Sequence, residues 1–158
     1  MPVADPPPPS ASTPPEATRA RAVRGLALAA RSLEQAAGDL TLAQYRVLAF
    51  VAAGAHRSSL VAEGLALAKP TVTAAVDGLV ERKFLTREAV AGDRRSIQLA
   101  VTRAGAAALR AAEASMGERL ERVLEHARDP EALLLALCDL DDAVADRMQT
   151  RLKNRVRT

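Results

Sequence analysis

Apolar residues recur at helical spacing along most of the chain, and the breaks between these stretches carry start and stop signals. Val23, Leu26, Ala30, Leu33 and Ala37 form one face of a first helix. Thr13-Pro14-Pro15-Glu16 has the order of a capping box, with proline at the first helical position, and Gly38 supplies the stop. Thr41-Leu42-Ala43-Gln44 is a second such box, with Leu40 before it and Tyr45 after it as a hydrophobic staple. That helix is predicted to run through Leu48 and Val51 to Gly54. Ser58 or Ser59 can cap a short third helix carrying Leu60, Val61 and Leu65. After Ala66-Leu67-Ala68 a fourth helix begins at Lys69-Pro70, with Val72, Ala75, Val76 and Leu79 as its apolar stripe. Two short helices joined by so brief a break read as a helix-turn-helix.

The period then changes from helical to alternating. Residues 85–90, a charged tip at 91–94 and residues 95–101 read as a β-hairpin, with Ile97, Leu99 and Val101 on one side of the second strand. Thr102 caps a long helix whose face is Leu109, Ala112, Met116, Leu120, Val123 and Ala127. Asp129-Pro130 ends it and opens the last helix. There Leu133, Leu137, Leu140, Val144, Met148 and Leu152 make a continuous seam of roughly 30 Å. So long a seam has few partners inside a small chain, and a contact between two copies through 16–37, 109–127 and 133–152 is the economical reading; an intramolecular bundle is the other. The predicted fold class is mostly α with a small β-hairpin wing, a winged helix-turn-helix (40–102) flanked by long dimerisation helices (16–37 and 103–158). Residues 1–15 hold seven of the nine prolines and read as a disordered or polyproline-like arm.

Composition narrows this picture. Aromatics are 2% of the 158 residues, with no Trp, so the core must be built from Ala, Leu and Val, which favours packed helices. No apolar run approaches the ~20 residues of a membrane span. The first residues have neither the basic nor the apolar region of a signal peptide, so a cytoplasmic location is expected. The net charge of +3 is unevenly spread. Residues 57–103 hold eight Lys/Arg and five Asp/Glu, residues 104–146 four and ten, and residues 147–158 five and none. A basic middle and a basic tail around an acidic segment fit one face meeting a polyanion, or ordinary solvated surface.

Enzymatic chemistry finds no candidate residues. His56 and His126 lie far apart, and no phosphate loop, nucleophile elbow or paired-carboxylate motif is present. The single cysteine, Cys138, excludes an internal disulfide, and with His126 it has no metal-ligand spacing around it. No catalytic residue, cofactor or metal is therefore expected.

The residues in order resemble the MarR (multiple antibiotic resistance regulator) family. The resemblance rests on Thr71-Val72-Thr73, Val76-Asp77-Gly78-Leu79-Val80-Glu81-Arg82, Asp93-Arg94-Arg95-Ser96 and Val101-Thr102-Arg103-Ala104-Gly105, and covers roughly 16–152. It implies a homodimeric transcriptional regulator, usually a repressor, that binds a pseudo-palindromic operator on double-stranded DNA and is often released by a small-molecule effector. The alternative is a winged-helix module that binds protein; it has no need of the basic and hydroxyl residues on the fourth helix and the tip. On the outer side of that helix Lys69, Pro70, Thr71, Thr73 and Ala74 are the expected DNA contacts, because the N-terminal end of a recognition helix enters the major groove. Within the family pattern Arg95 is the candidate for minor-groove insertion and Arg94 for phosphate or for pairing with Asp77. Arg57, Ser58 and Ser59 are second-tier phosphate contacts. Asp77, repelled by DNA, is expected to pair with Arg94 or Arg95 and support the wing, while Arg82 and Arg87 read as peripheral. Tyr45, Phe50 and His56 are weak candidates for lining an effector pocket, core being the other reading. Two positions depart from the family pattern: Ala68 stands where Ser is frequent, and Lys83 where Gly is usual.

Overall fold

The computed structural model describes residues 14–54, 58–90 and 93–156; for 58–60, 89–90, 93–96 and 151–156 the description is of backbone alone. The proline-rich arm through Thr13, His56, Arg57 and the tip residues 91 and 92 lie outside the described residues. The element order is α1 (Glu16–Ala36), α2 (Leu42–Ala52), α3 (Ser58–Gly64), α4 (Lys69–Glu81), β1 (Leu85–Val90), β2 (Asp93–Val101), α5 (Arg103–Leu124) and α6 (Pro130–Val156). This is the predicted mostly helical chain with one hairpin. The chain divides into two compact units, one through Ser32 and one from Leu33. The first holds most of α1, whose Val23, Leu26 and Leu28 are exposed.

In the second unit local chemistry sets the helix ends. The Gln44 N–H donates to Thr41 Oγ1 at 3.1 Å, and the Thr41 N–H donates back to Gln44 Oε1 at 3.1 Å, closing the capping box. Gly38 takes a φ of +64° after α1, the left-handed turn that glycine adopts without strain. The Ala132 N–H donates to Asp129 Oδ1 at 3.0 Å at the start of α6.

Packing then selects one face of each helix. Val47, Leu48 and Val51 of α2 meet the α4 stripe Val72, Ala75, Val76 and Leu79, with Val61 of α3 and Leu65 just after it alongside. Leu85 and Leu99 cover this core from the hairpin, and Leu109 and Ala112 from α5. The first half of α5 is thus part of the winged-helix core, which extends past residue 102. A second small cluster joins Ala36, Ala37 and Met116 with Leu33 and Tyr45 packed against it. The strands are antiparallel, Leu85 facing Val101 and Arg87 facing Leu99, with an irregularity after Ala89. Of the three residues expected on one side of β2, Leu99 is fully buried but Ile97 is 45% exposed. Alternation assigns a side to Ile97, yet the core ends before the strand does.

The tightest junction lies where the hairpin leaves and re-enters the helical layer. The Phe84 N–H donates to the Leu79 carbonyl at 2.8 Å. The Phe84 carbonyl in turn accepts the Thr102 N–H at 3.1 Å and, weakly, the Thr102 hydroxyl at 3.4 Å. That hydroxyl donates to the Lys83 carbonyl at 2.7 Å and accepts from the Gly105 N–H at 2.9 Å, capping α5. Gly105 sits against Phe84 so closely that a Cβ would fall 2.1 Å from the carbonyl oxygen. Gly105→Ala is expected to destabilise the fold by about 1–3 kcal/mol through this overlap. Gly117→Ala, whose Cβ would meet nothing within 4 Å, is expected to raise stability by about 0.5–1 kcal/mol. Urea midpoints of the two variants check the contrast.

Tyr45 is half-buried between the two clusters. Burial, and then the negative charges of Glu113 and Asp141, push its phenol above the ordinary 10.0. Because the folded value lies above the unfolded one, this contribution to stability is complete below pH 10 and is lost as pH rises through the folded value. Tyr45 is the only tyrosine. Phenolate absorbance is therefore expected to titrate with a midpoint above 10.0 in the folded chain and to fall to the ordinary value in denaturant.

Candidate nucleic-acid interface

The face of α4 turned away from its buried stripe is built from Lys69, Pro70, Thr71, Thr73, Ala74 and Asp77, all exposed. These are the residues that the helical spacing placed there. The N-cap is Ala68, which offers no side-chain acceptor, so the first-turn N–H groups keep their capacity for an outside anion. Thr73 Oγ1 donates to the Lys69 carbonyl at 3.0 Å, so its hydrogen is engaged within the helix and its lone pairs face outward. Ser58 and Ser59 open α3 as expected, and Arg94 and Arg95 lie on β2 directly after the tip.

Asp77 pairs with Arg87 of β1, as both a hydrogen bond and an ion pair. Arg87, read as peripheral, thus ties the hairpin to α4; the side chains of Arg94 and Arg95, the partners expected for Asp77, lie outside the described residues. Arg87 lies on the first strand opposite Leu99, level with the middle of α4, whereas Arg94 and Arg95 lie toward the tip. The side chains are 41% and 55% exposed, so the pair contributes at most about 1 kcal/mol. Its consequence is positional, a direct tie between the recognition-type helix and the hairpin.

Arg82 is likewise not peripheral. At the end of α4 its guanidinium donates to the Asp39 carbonyl at 2.8 Å, lies 3.9 Å from the Asp39 carboxylate and stacks 4.5 Å above the Phe84 ring. It ties the α1–α2 turn to the exit of α4. Arg46 of α2 similarly donates to the Leu65 carbonyl at 3.0 Å and holds the end of α3. Nothing local in the sequence marks these contacts, because each acceptor is a distant backbone carbonyl.

Between α3, α4 and the hairpin runs a groove of about 380 Å³. Val72, Val76, Ala62 and Ile97 form its apolar floor, and Lys69, Thr73, Glu63 and Arg87 its polar margin. Tyr45 and Phe50, named for an effector pocket, do not line it. Both pack against the core, and the Phe50 ring lies flush on Gly64, where a Cβ would be 2.2 Å from its edge.

An exposed helix whose partner helix and hairpin are held this way is a winged helix-turn-helix, the class to which this unit belongs. Residues 38–96 match the profile of the MarR family. No curated protein matches the chain. Among solved structures, a MarR-family transcriptional regulator from Rhodococcus sp. RHA1 is similar with a TM-score of 0.69 and 21% identity, covering 84% of this chain and 96% of that one. A mutant MarR from E. coli complexed with operator DNA is similar with a TM-score of 0.62 and 21% identity, covering 77% and 91%. CouR from Rhodococcus jostii RHA1, bound to p-coumaroyl-CoA, is similar with a TM-score of 0.65 and 22% identity, covering 82% and 92%. At these identities the likeness establishes the fold.

Lys83, which joins α4 to the hairpin, has a φ of +58°. A lysine there bears a left-handed strain that glycine would avoid. Lys83→Gly is expected to stabilise the folded chain by about 1 kcal/mol, read as a higher thermal midpoint.

Proposed function

We propose that the chain is a homodimeric, sequence-specific DNA-binding transcriptional regulator of the repressor type, acting in the cytoplasm on a pseudo-palindromic operator. The observation that carries this reading is the exposed α4 face, whose first two turns present Lys69, Thr71, Thr73 and Ala74 with no acid or large apolar side chain and whose Asp77 is paired with Arg87. In this reading Lys69, Pro70, Thr71, Thr73 and Ala74 enter the major groove. Arg95 enters the minor groove, and Arg94, Arg57, Ser58 and Ser59 hold phosphates. A small-molecule effector is part of the proposal, supported by the ligand-bound relative; no catalytic function is assigned.

Dimerisation is supported by the apolar residues the single chain leaves exposed. Leu133, Leu134, Leu135, Leu140 and Val144 of α6 are all exposed, and so are Val23, Leu26 and Leu28 of α1. A self-associating surface of this kind also fits a dyad-symmetric operator, whose half-sites lie about one helical turn apart.

Binding to DNA fragments selected from genomic sequence tests the reading: a palindromic consensus supports it, and no sequence preference overturns it. On that consensus Arg95→Ala is expected to weaken binding by roughly 1–3 kcal/mol, with the loss shared by variants that keep an A·T-rich minor groove. Asp77→Ala is expected to weaken binding by up to about 1 kcal/mol, because the hairpin loses its tie to α4. Removal of a negative charge alone predicts tighter binding, so the sign of this measurement, at unchanged thermal stability, decides whether the Asp77–Arg87 pair positions the wing.

A further inference from the structure

Most of the side chains that read purines by paired hydrogen bonds are missing from α4. In the major groove arginine and lysine pair with guanine, and asparagine and glutamine with adenine. Residues 69–81 contain no arginine, asparagine or glutamine, and Lys69 is their single cation. The groups that remain on the outward face differ by turn. The first turn presents the donors, Lys69 and the Thr71 hydroxyl, both exposed. The second turn presents Thr73 and Ala74, also exposed. The Thr73 hydroxyl donates its hydrogen to the Lys69 carbonyl at 3.0 Å, which leaves it lone pairs and a methyl group for an outside partner. Ala74 has a methyl group alone. Pro70, four residues earlier on the same row of the helix, adds a ring without a polar atom. The Asp77 carboxylate, one turn further on, is engaged by Arg87.

From this inventory we infer that the second turn of α4 selects A·T base pairs, with Thr73 accepting the exocyclic amino group of adenine and Ala74 packed on the C5-methyl group of thymine. The inference rests on the DNA-binding reading above and adds which bases these two residues select. An A·T pair offers an amino donor and a methyl group together at its major-groove edge. A G·C pair offers an amino donor on cytosine and no methyl group, and guanine presents only acceptors, which oppose the Thr73 lone pairs. Methyl recognition works only at van der Waals contact. A residue with nothing beyond Cβ meets that condition when the helix backbone lies close to the bases, and no long side chain beside Ala74 on its row holds the backbone off. The same contact accepts 5-methylcytosine, whose methyl group occupies the position of the thymine methyl.

The test uses the intact chain and the operator selected from genomic fragments. Thymines of one half-site are replaced singly by deoxyuridine, which pairs with adenine as thymine does and lacks the methyl group. At one position or more, affinity is expected to fall about fourfold, the effect of one buried methyl group. Ala74→Gly is expected to bind that uridine duplex and its thymine parent equally well. Where the glycine unsettles the helix, the unaltered chain supplies a second measurement. With that T·A pair changed to C·G, methylation of the cytosine at C5 is expected to tighten binding about fourfold. Thr73→Val keeps the shape of the side chain and removes the acceptor; it is expected to lower the preference for adenine at one consensus position by roughly fivefold. Three results overturn the inference and leave the regulator reading standing: no loss at any uridine, no gain from methylation, or half-sites without A·T pairs. A uridine penalty kept in full by a folded Ala74→Gly variant overturns it as well, and so does an adenine preference unchanged in Thr73→Val. Binding without any sequence preference overturns the regulator reading, and this inference with it.

Discussion

One residue holds the three parts of the winged helix in register. The Phe84 N–H completes the exit of α4 by donating to Leu79, and its carbonyl receives Thr102, which ends the hairpin and caps α5. The start and the end of the wing, 18 residues apart, are thereby fixed to the last turn of the helix that presents Lys69, Thr71, Thr73 and Ala74. Gly105 permits the approach because any Cβ would overlap the carbonyl, and Arg82 lies over the Phe84 ring. Backbone hydrogen bonds at a junction tolerate little displacement, since a buried donor or acceptor left without a partner costs about 1–3 kcal/mol. The direction in which the hairpin leaves α4 is set there.

The electrostatics of the outer face act on top of this frame. Asp77 and Arg87 are too exposed for their pair to add much stability, but they link the middle of α4 to the middle of β1, where the backbone junction exerts least control. Lys69 and the uncapped start of α4 put positive charge at the end of the helix where its dipole is also positive. Stability and charge are therefore separated. The apolar stripe of α4 holds the helix in place, and the opposite stripe is left to polar residues that make few demands on the fold.

A similar separation runs along α6. Leu133, Leu134, Leu135, Leu140 and Val144 remain exposed in the single chain while Met148 is tied to the winged-helix core. Its early part thus offers apolar surface to another molecule, and its late part is bound to the unit containing α3 and α4. An event on the apolar part of α6 has a covalent, helical route to the helix-turn-helix.

The sequence by itself determined the helices, their caps and the buried stripe of α4, because each of these depends on residues no more than four apart. The Thr41–Gln44 box, the Asp129 and Thr102 caps, the set Val72, Ala75, Val76 and Leu79 and the order of the hairpin strands were all legible at that range. What lay across elements was not. The tertiary structure alone decided that Asp77 meets Arg87, that Arg82 reaches Asp39, that Ile97 lies beyond the edge of the core and that Phe50 packs on Gly64. Periodicity states which side of an element a residue occupies, but not which residue of a neighbouring element lies opposite. That pairing follows from strand register, helix crossing and the reach of long side chains, and these exist only once the core has closed.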